Sequence, residues 1–229
     1  MNISDLHINE LLDLSKTDFS LLFKNLMYPW DAIPLIKEKF RELTKTLDMH
    51  DYNMIKESVF VHKSVTVLKS VYLGRNIIIG RDADIRNSAF IRENAIIGNG
   101  AVLGNSCEIK NSILFDYAQC PHFNYIGDSI IGYKAHLGAG VITSNLKSDK
   151  SIVVVKANDE HINTGLKKFG AIVGDYAEIG CNSVLNPGSV IGRNTQIYPL
   201  SSIRGVIEAN CIVKNDSVLV KKEQNNEKK

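Results

Sequence analysis

Arg92 and Lys110 lie eighteen residues apart, and each follows an aliphatic residue, Ile91 and Ile109. Held over one another, two such cations repel unless an anion bridges them. A phosphate suits the pair, because Arg offers a bidentate fork and Lys a point charge. A solvated basic face is the competing reading of the same residues. His122 stands in Cys120-Pro121-His122-Phe123-Asn124-Tyr125-Ile126-Gly127-Asp128. An imidazole with a reference pKa of ~6.5 accepts a proton at neutral pH, so this His is a candidate general base, with a structural role as the alternative. His136 follows fourteen residues later. Two His are too few for a three-His metal site, and no metal is expected.

The elements that must position these residues show themselves as a repeat of six. Val61, Val67, Leu73, Ile79, Ile85, Ile91, Ile97, Leu103 and Ile109 recur without a miss, and Val173, Ile179, Leu185, Ile191, Ile197 and Ile203 form a second run. Four residues after each member of the first run comes another small or aliphatic side chain, from Val65 to Ile113. Gly74, Gly80, Gly98 and Gly104 follow the repeat residue directly, at the position that Arg92 and Lys110 occupy elsewhere. A period of six fits neither a helix nor a flat strand. It fits a prism whose sides are short parallel strands, whose repeat residue points to the axis and whose corners take small or φ-permissive residues. Eighteen residues then make one coil, and about twenty hexads make six to seven coils spaced ~4.8 Å apart. Arg92 stacks over Lys110 in such a prism.

Composition divides the chain. Residues 1–58 hold ten Leu but no Val or Gly, whereas all 17 Val, all 16 Gly and 22 of 27 Ile come later. Leu favours helices and β-branched residues favour strands. Residues 1–55 are therefore expected to form a helical segment: Asp5–Leu14, a second helix capped by Thr17 or Asp18 and ending near Leu26, and a third capped by Asp31 and ending near Leu47. This segment is expected to cover an open end of the prism, with Trp30 as a packing anchor. The β-helix occupies 56–220, and 221–229 is a polar tail. Residues 145–170 break the period, and Ile152–Val155 before Asp159 and Glu160 reads as a strand with a turn. Such an insertion on a solenoid carries function or is a passive loop.

The balance of 27 Lys+Arg against 25 Asp+Glu, net +2, excludes a strongly basic nucleic-acid binder. No apolar run approaches the ~18 residues of a membrane helix, and no secretory signal opens the chain. Cys107, Cys120, Cys181 and Cys211 form no CxxC, so reduced thiols in a cytoplasmic protein are expected.

The segments His122–Asp128 and Leu137-Gly138-Ala139-Gly140-Val141-Ile142-Thr143-Ser144-Asn145, with Gly104–Asn111 upstream, resemble the acetyltransferase domain of the bifunctional glucosamine-1-phosphate acetyltransferase / N-acetylglucosamine-1-phosphate uridylyltransferase family. The resemblance covers residues 60–215 and implies a left-handed β-helix of hexapeptide repeats. It implies that His122 is the general base and that Asn145 sits near the acetyl group. Arg92, Lys110, Tyr125 and Lys168 would contact the sugar phosphate. Acetyl-coenzyme A would lie along the later coils near Ala139, Ala171, Cys181 and Pro199, in a homotrimer with sites between neighbouring prisms and the 145–170 insertion reaching across.

His136 stands where that family has a sugar-contacting Asn, and Cys181 replaces a Ser. Leu146–Leu166 and the following Lys167-Lys168-Phe169-Gly170 look more like archaeal sugar-1-phosphate nucleotidylyltransferases that acetylate glucosamine- and galactosamine-1-phosphate. Residues 1–73 contain no glycine, hence no Gly-rich nucleotide loop, and no uridylyl transfer is expected. The resemblance thus implies an N-acetyltransferase for an amino-sugar 1-phosphate, in the synthesis of UDP-N-acetylglucosamine and cell-envelope precursors. Its competitors are a non-catalytic trimeric scaffold or regulatory partner of a separate nucleotidylyltransferase, and acyl transfer to a nucleotide-linked amino sugar.

Overall fold

A computed structural model of the chain describes residues 3–157, 160–214 and 219–222. From Val59 the backbone winds into a left-handed parallel β-helix, a three-sided prism. The first face stacks Leu73, Ile91, Ile109, Ile126, Thr143, Leu185 and Ile203. The second stacks Val61, Ile79, Ile97, Leu114, Ile131, Val173, Ile191 and Ile207. The third stacks Ile85, Leu103, Cys120, Leu137, Ile179, Ile197 and Val213. Apart from Thr143, whose buried hydroxyl accepts from Gly127 N and donates to the Tyr125 carbonyl, these residues point inward and form or line the axial core. Burying each aliphatic side chain contributes about 1.5–3 kcal/mol, which makes the prism the main store of stability.

Among the described residues the second face carries eight rungs, more than the hexad count predicts. The coils shorten after Ile109: Ile91 pairs Ile109 at eighteen residues, but Ala95 pairs Ser112 at seventeen. One residue is lost at the corner between the first and second faces. Leu114 then points inward and Ile113 points outward.

Corners also differ from expectation. The left-handed residues are mostly not Gly but Asn, Ser and Asp, joined by Tyr117, Phe123, Lys134, Tyr176 and Leu200. Gly74 and Gly104 have ordinary φ and serve close approach instead. A Cβ on Gly74 would lie 1.6 Å from the Arg92 carbonyl oxygen, and one on Gly104 would lie 1.5 Å from that of Pro121.

The helices do not cap the prism end; there the segment's last strand, Tyr52–Lys56, pairs antiparallel with Val59–His62 on the first coil. The outer side of the second face presents Ile78, Ile96, Ile113, Ile130, Ile172 and Val190, an apolar stripe the length of the prism, and the segment from Leu6 to Tyr52 packs on it. The expected long helices are short pieces: α1 (Ile8–Leu11), α2 (Ala32–Glu38), α3 (Phe40–Thr44) and single 3-10 turns. Docking on a flat flank replaces long self-sufficient helices, because tertiary packing supplies most helical stability. Asp31 makes no side-chain cap; Asp13 caps the Leu14–Lys16 turn by accepting from Ser15 N at 3.0 Å. Trp30 is 1% exposed, stacks on Tyr28 at 4.7 Å and leans on Phe169 at 5.7 Å. It anchors the segment to the base of the insertion.

The insertion leaves after Asn145 and returns at Gly170, whose N–H donates to the Asp128 carbonyl at 2.9 Å. It forms an antiparallel hairpin, Val154–Ala157 with Glu160–Asn163; Asp159 lies outside the described residues. The hairpin does not reach away from the prism. Val153, Val155 and Ala157 are buried on the chain's own flank beside the helical segment. At the far end Leu219–Lys221 pairs antiparallel with Cys211–Val213, so the prism boundary expected at 220 falls inside a strand. Residues 223–229 of the expected tail lie outside the described residues. All four cysteines are unpaired thiols. Among the described residues no helix is long and apolar enough to cross a membrane.

Trp30→Ala is expected to cost about 3–5 kcal/mol, the usual range for a fully buried aromatic. Urea unfolding measures it; a cost below about 1 kcal/mol would mean that the flank is not a cooperative part of the fold.

Candidate functional site

Two corners of the prism carry the candidate residues, and the first face lies between them. At the corner of the first and second faces, Arg92 Nη1 donates to Glu108 Oε1 at 2.9 Å and its Nε lies 3.8 Å from Glu93. The Glu108 bond holds the guanidinium above its ordinary pKa. Lys110 is 7% exposed, with Nζ 4.0 Å from Glu93. The stacked cations are therefore compensated by carboxylates of their own coils. The shortened coil explains their difference in burial: Glu93 follows Arg92 before the corner, whereas Lys110 runs straight into Asn111 and is drawn inward.

That corner is built on a ladder of left-handed residues, Asn76, Asn94, Asn111 and Asp128. Asn76 donates to Asn94 at 2.9 Å, Asn94 to Asn111 at 2.7 Å, and Asn111 to Asp128 at 3.0 Å. From the other side Asn145 Nδ2 donates to Asp128 and, at 3.2 Å, to Tyr125 Oη. A carboxylate only accepts, so Asp128 fixes the orientation of both amides, and through Asn111 of the whole ladder. Burial pushes the Asp128 carboxyl above its ordinary pKa; the Asn145 and Asn111 bonds and the charges of Lys110 and Lys168 oppose the rise. Tyr125 is pushed up by burial as well, with Asp128 and Glu108 adding to it. Lys168 lines a 420 Å³ cavity over this ladder with Asn94, Asn111, Asp128 and Lys37 of α2.

At the opposite edge of the first face, His122 is exposed at the end of the third-face strand Gln119–His122. Gly104 leaves the room that lets Pro121 and His122 settle on the coil below. The turn passes through Phe123 at φ 53°, held by buried Asn124, which accepts from His122 N at 3.2 Å and donates to Gly138 O at 2.8 Å. Above His122 the coils place Ala139, Cys181 and Pro199 in one column. The His122 carbonyl accepts from Gly140 N, that of Ala139 from Asn182 N, and that of Cys181 from Leu200 N, each one residue past the column. The N–H of Ala139 has no partner among the described residues.

The sequence-predicted residues thus fall into two groups: Arg92, Lys110, Tyr125, Asn145 and Lys168 at one edge, His122, Ala139, Cys181 and Pro199 at the other. Asn145, expected beside the acetyl group, donates to Asp128 and Tyr125. Ala171 does not join the coenzyme column: it is fully buried and belongs to the axial core, where no ligand reaches its side chain. His136 lies on the third face, with Nδ1 2.9 Å from Glu178 Oε2. Glu93, Glu108 and Asp128 were missed; the need for an anion between Arg92 and Lys110 was a signal that pointed to the first two. Among the described residues no three His, Cys, Asp or Glu cluster as a metal site.

Residues 75–167 match the family described as the GMPPB C-terminal domain. The chain is 38% identical over 120 residues to the bifunctional protein GlmU of Methanococcus aeolicus, covering 51% of this chain and 26% of that protein. It is 35% identical over 91 residues to the bifunctional sugar-1-phosphate nucleotidylyltransferase/acetyltransferase of Sulfurisphaera tokodaii, covering 40% and 23%. The chain therefore spans about a quarter of the length of these relatives. Among solved structures, the acetyltransferase domain of PglB from Neisseria gonorrhoeae matches with TM-score 0.40 and 14% identity, covering 83% of this chain and 74% of that one. The resemblance read from the sequence holds over about half of the chain.

Asp128 makes a signed pH prediction. Its folded pKa lies above the reference of 3.8, so the folded state holds the proton more tightly. The resulting stability is present below the unfolded pKa and is lost as pH rises through the folded one. Asp128→Asn is expected to flatten that fall in melting temperature between mild acid and neutrality. An unchanged slope would assign it to Asp116 and Asp175, which burial also raises.

Proposed function

We propose that this chain transfers the acetyl group of acetyl-coenzyme A to the amine of an amino-sugar 1-phosphate, glucosamine- or galactosamine-1-phosphate. One observation carries the reading: His122 is exposed directly below a column of small or exposed residues, Ala139, Cys181 and Pro199, at the edge of a face whose other edge carries Arg92 and Lys110. The similarity over 91 residues to a bifunctional sugar-1-phosphate nucleotidylyltransferase/acetyltransferase supports it.

In this reading the sugar lies across the first face over Tyr125. His122 takes the proton from the amine as its nitrogen attacks the thioester carbonyl. The free Ala139 N–H donates to the oxyanion, and the proton returns to the departing thiolate. General-base help is typically worth about 10²–10⁴-fold and an oxyanion donor about 10²–10³-fold. Arg92 holds the phosphate with the donors that Glu108 leaves free, while Lys110 and Lys168 add charge. The coenzyme rises along the Ala139–Cys181–Pro199 column, where nothing larger than a thiol or a proline ring obstructs it. The first face is left open by the helical segment, which favours the homotrimer that the resemblance implies, with a neighbouring prism closing each site.

Thiol release from acetyl-coenzyme A with either sugar phosphate tests this. His122→Ala is expected to lower kcat by about 10²–10⁴-fold; full turnover would remove His122 from the role. Arg92→Ala is expected mainly to raise KM for the sugar phosphate, and an unchanged KM would return Arg92 to a structural ion pair.

A further inference from the structure

The corner that carries Arg92 opens into a cleft of about 1010 Å³ between the first coils and α2, α3 and the strand Tyr52–Lys56. That is large for a hexosamine monophosphate; ligand pockets for drug-sized molecules span about 300–1,000 Å³. Its wall carries Lys37, Arg41, Lys56, Arg75 and Arg92 against only Glu57 and Glu93. Arg92 already has Glu108 and Glu93, and Lys56 donates to the Leu73 carbonyl at 3.0 Å. Lys37, Arg41 and Arg75 have no ion-pair or side-chain hydrogen-bond partner among the described residues. Cations gathered around one cleft repel each other until an anion enters. On the same rim Tyr72 and Phe90 are 54% and 40% exposed, with ring centroids 4.8 Å apart. Exposed aromatic faces beside cations suit a nucleobase next to phosphates, since every base has a stacking face.

We propose that this cleft binds a nucleoside diphosphate, as the handle of an amino sugar whose amine reaches His122. Arg41, Arg75 and Lys37 take the diphosphate and the Tyr72–Phe90 pair takes the base. The helical segment, outside the matched residues 75–167, thereby becomes part of the acceptor site and extends it from the free sugar phosphate to a nucleotide-linked amino sugar. The sugar end of this proposal rests on the acyl-transfer reading; the nucleotide end stands on the cleft alone.

Calorimetric titration of the full chain with uridine diphosphate, inorganic pyrophosphate, uridine and a short single-stranded oligonucleotide tests it. Uridine diphosphate is expected to bind roughly tenfold or more tighter than pyrophosphate or uridine, because both halves are held. Arg75→Ala and Arg41→Ala should each weaken it roughly tenfold. Tyr72→Ala should weaken it roughly fivefold or more while leaving pyrophosphate unchanged. All three side chains are exposed, so a retained melting temperature separates lost contacts from lost fold. Uridine diphosphate no tighter than pyrophosphate, or an oligonucleotide tighter than both, would overturn the assignment. Acetylation of glucosamine-1-phosphate without any nucleotide binding defeats the cleft proposal alone. Nucleotide binding without acetylation of any amino sugar upholds the cleft and defeats the acyl-transfer reading alone.

Discussion

Each coil of this prism hydrogen-bonds to the next as a parallel strand, and that pairing decides which residues meet. A side chain's neighbours are those one coil above and below, sixteen to eighteen residues away, or forty-two across the insertion. Chemistry is therefore organised in columns. Asn76, Asn94, Asn111 and Asp128 form one; His122, Ala139, Cys181 and Pro199 form another. Neither exists in any local stretch of chain. Both depend on a backbone spacing so close that Gly74 and Gly104 have no room for a Cβ.

The axial core was legible because its period is strict. A repeat of six without a miss from Val61 to Ile109 admits few folds, and the structure keeps those residues inward. The place of the helical segment was not read, although a signal existed. In every third hexad the repeat residue has an aliphatic neighbour that points outward, as in Ile78-Ile79, Ile96-Ile97, Ile130-Ile131, Ile172-Val173 and Val190-Ile191. A solvated outer face has no use for that doubling. A side that is apolar on both surfaces has to be covered, and residues 3–52 together with the hairpin cover it. Amphipathic patterning in the segment itself could not reveal this, because short turns on a flat flank need no helical period.

The candidate site was legible residue by residue and not as a geometry. Arg92 and Lys110 do stack, as an eighteen-residue coil requires, but their counter-anions are protein carboxylates. Glu93 is adjacent in sequence and Glu108 sits diagonally one coil on. Single-column reasoning misses diagonals, which long side chains span easily. The loss of one residue at the corner after Lys110 is equally invisible until the register is known, yet it separates a half-exposed Arg from a buried Lys.

Why an aspartate stands at 128 follows from the direction of the amides. Asn76, Asn94 and Asn111 each donate toward the next coil, whereas Asn145 donates back. Where two donor runs converge, an Asn would present an N–H to one of them, and a buried donor facing a donor costs about 1–3 kcal/mol. Only an acceptor on both sides closes the ladder. The carboxylate is desolvated in doing so, which is why its pKa rises despite two amide bonds. It is placed where the regular corner ends and the insertion begins: Asn145 is the last residue before the chain departs, and Gly170 returns onto the Asp128 carbonyl. The same residue thus closes the repeat, orients Asn145 and Tyr125 at the edge of the first face, and seats the loop that delivers Lys168.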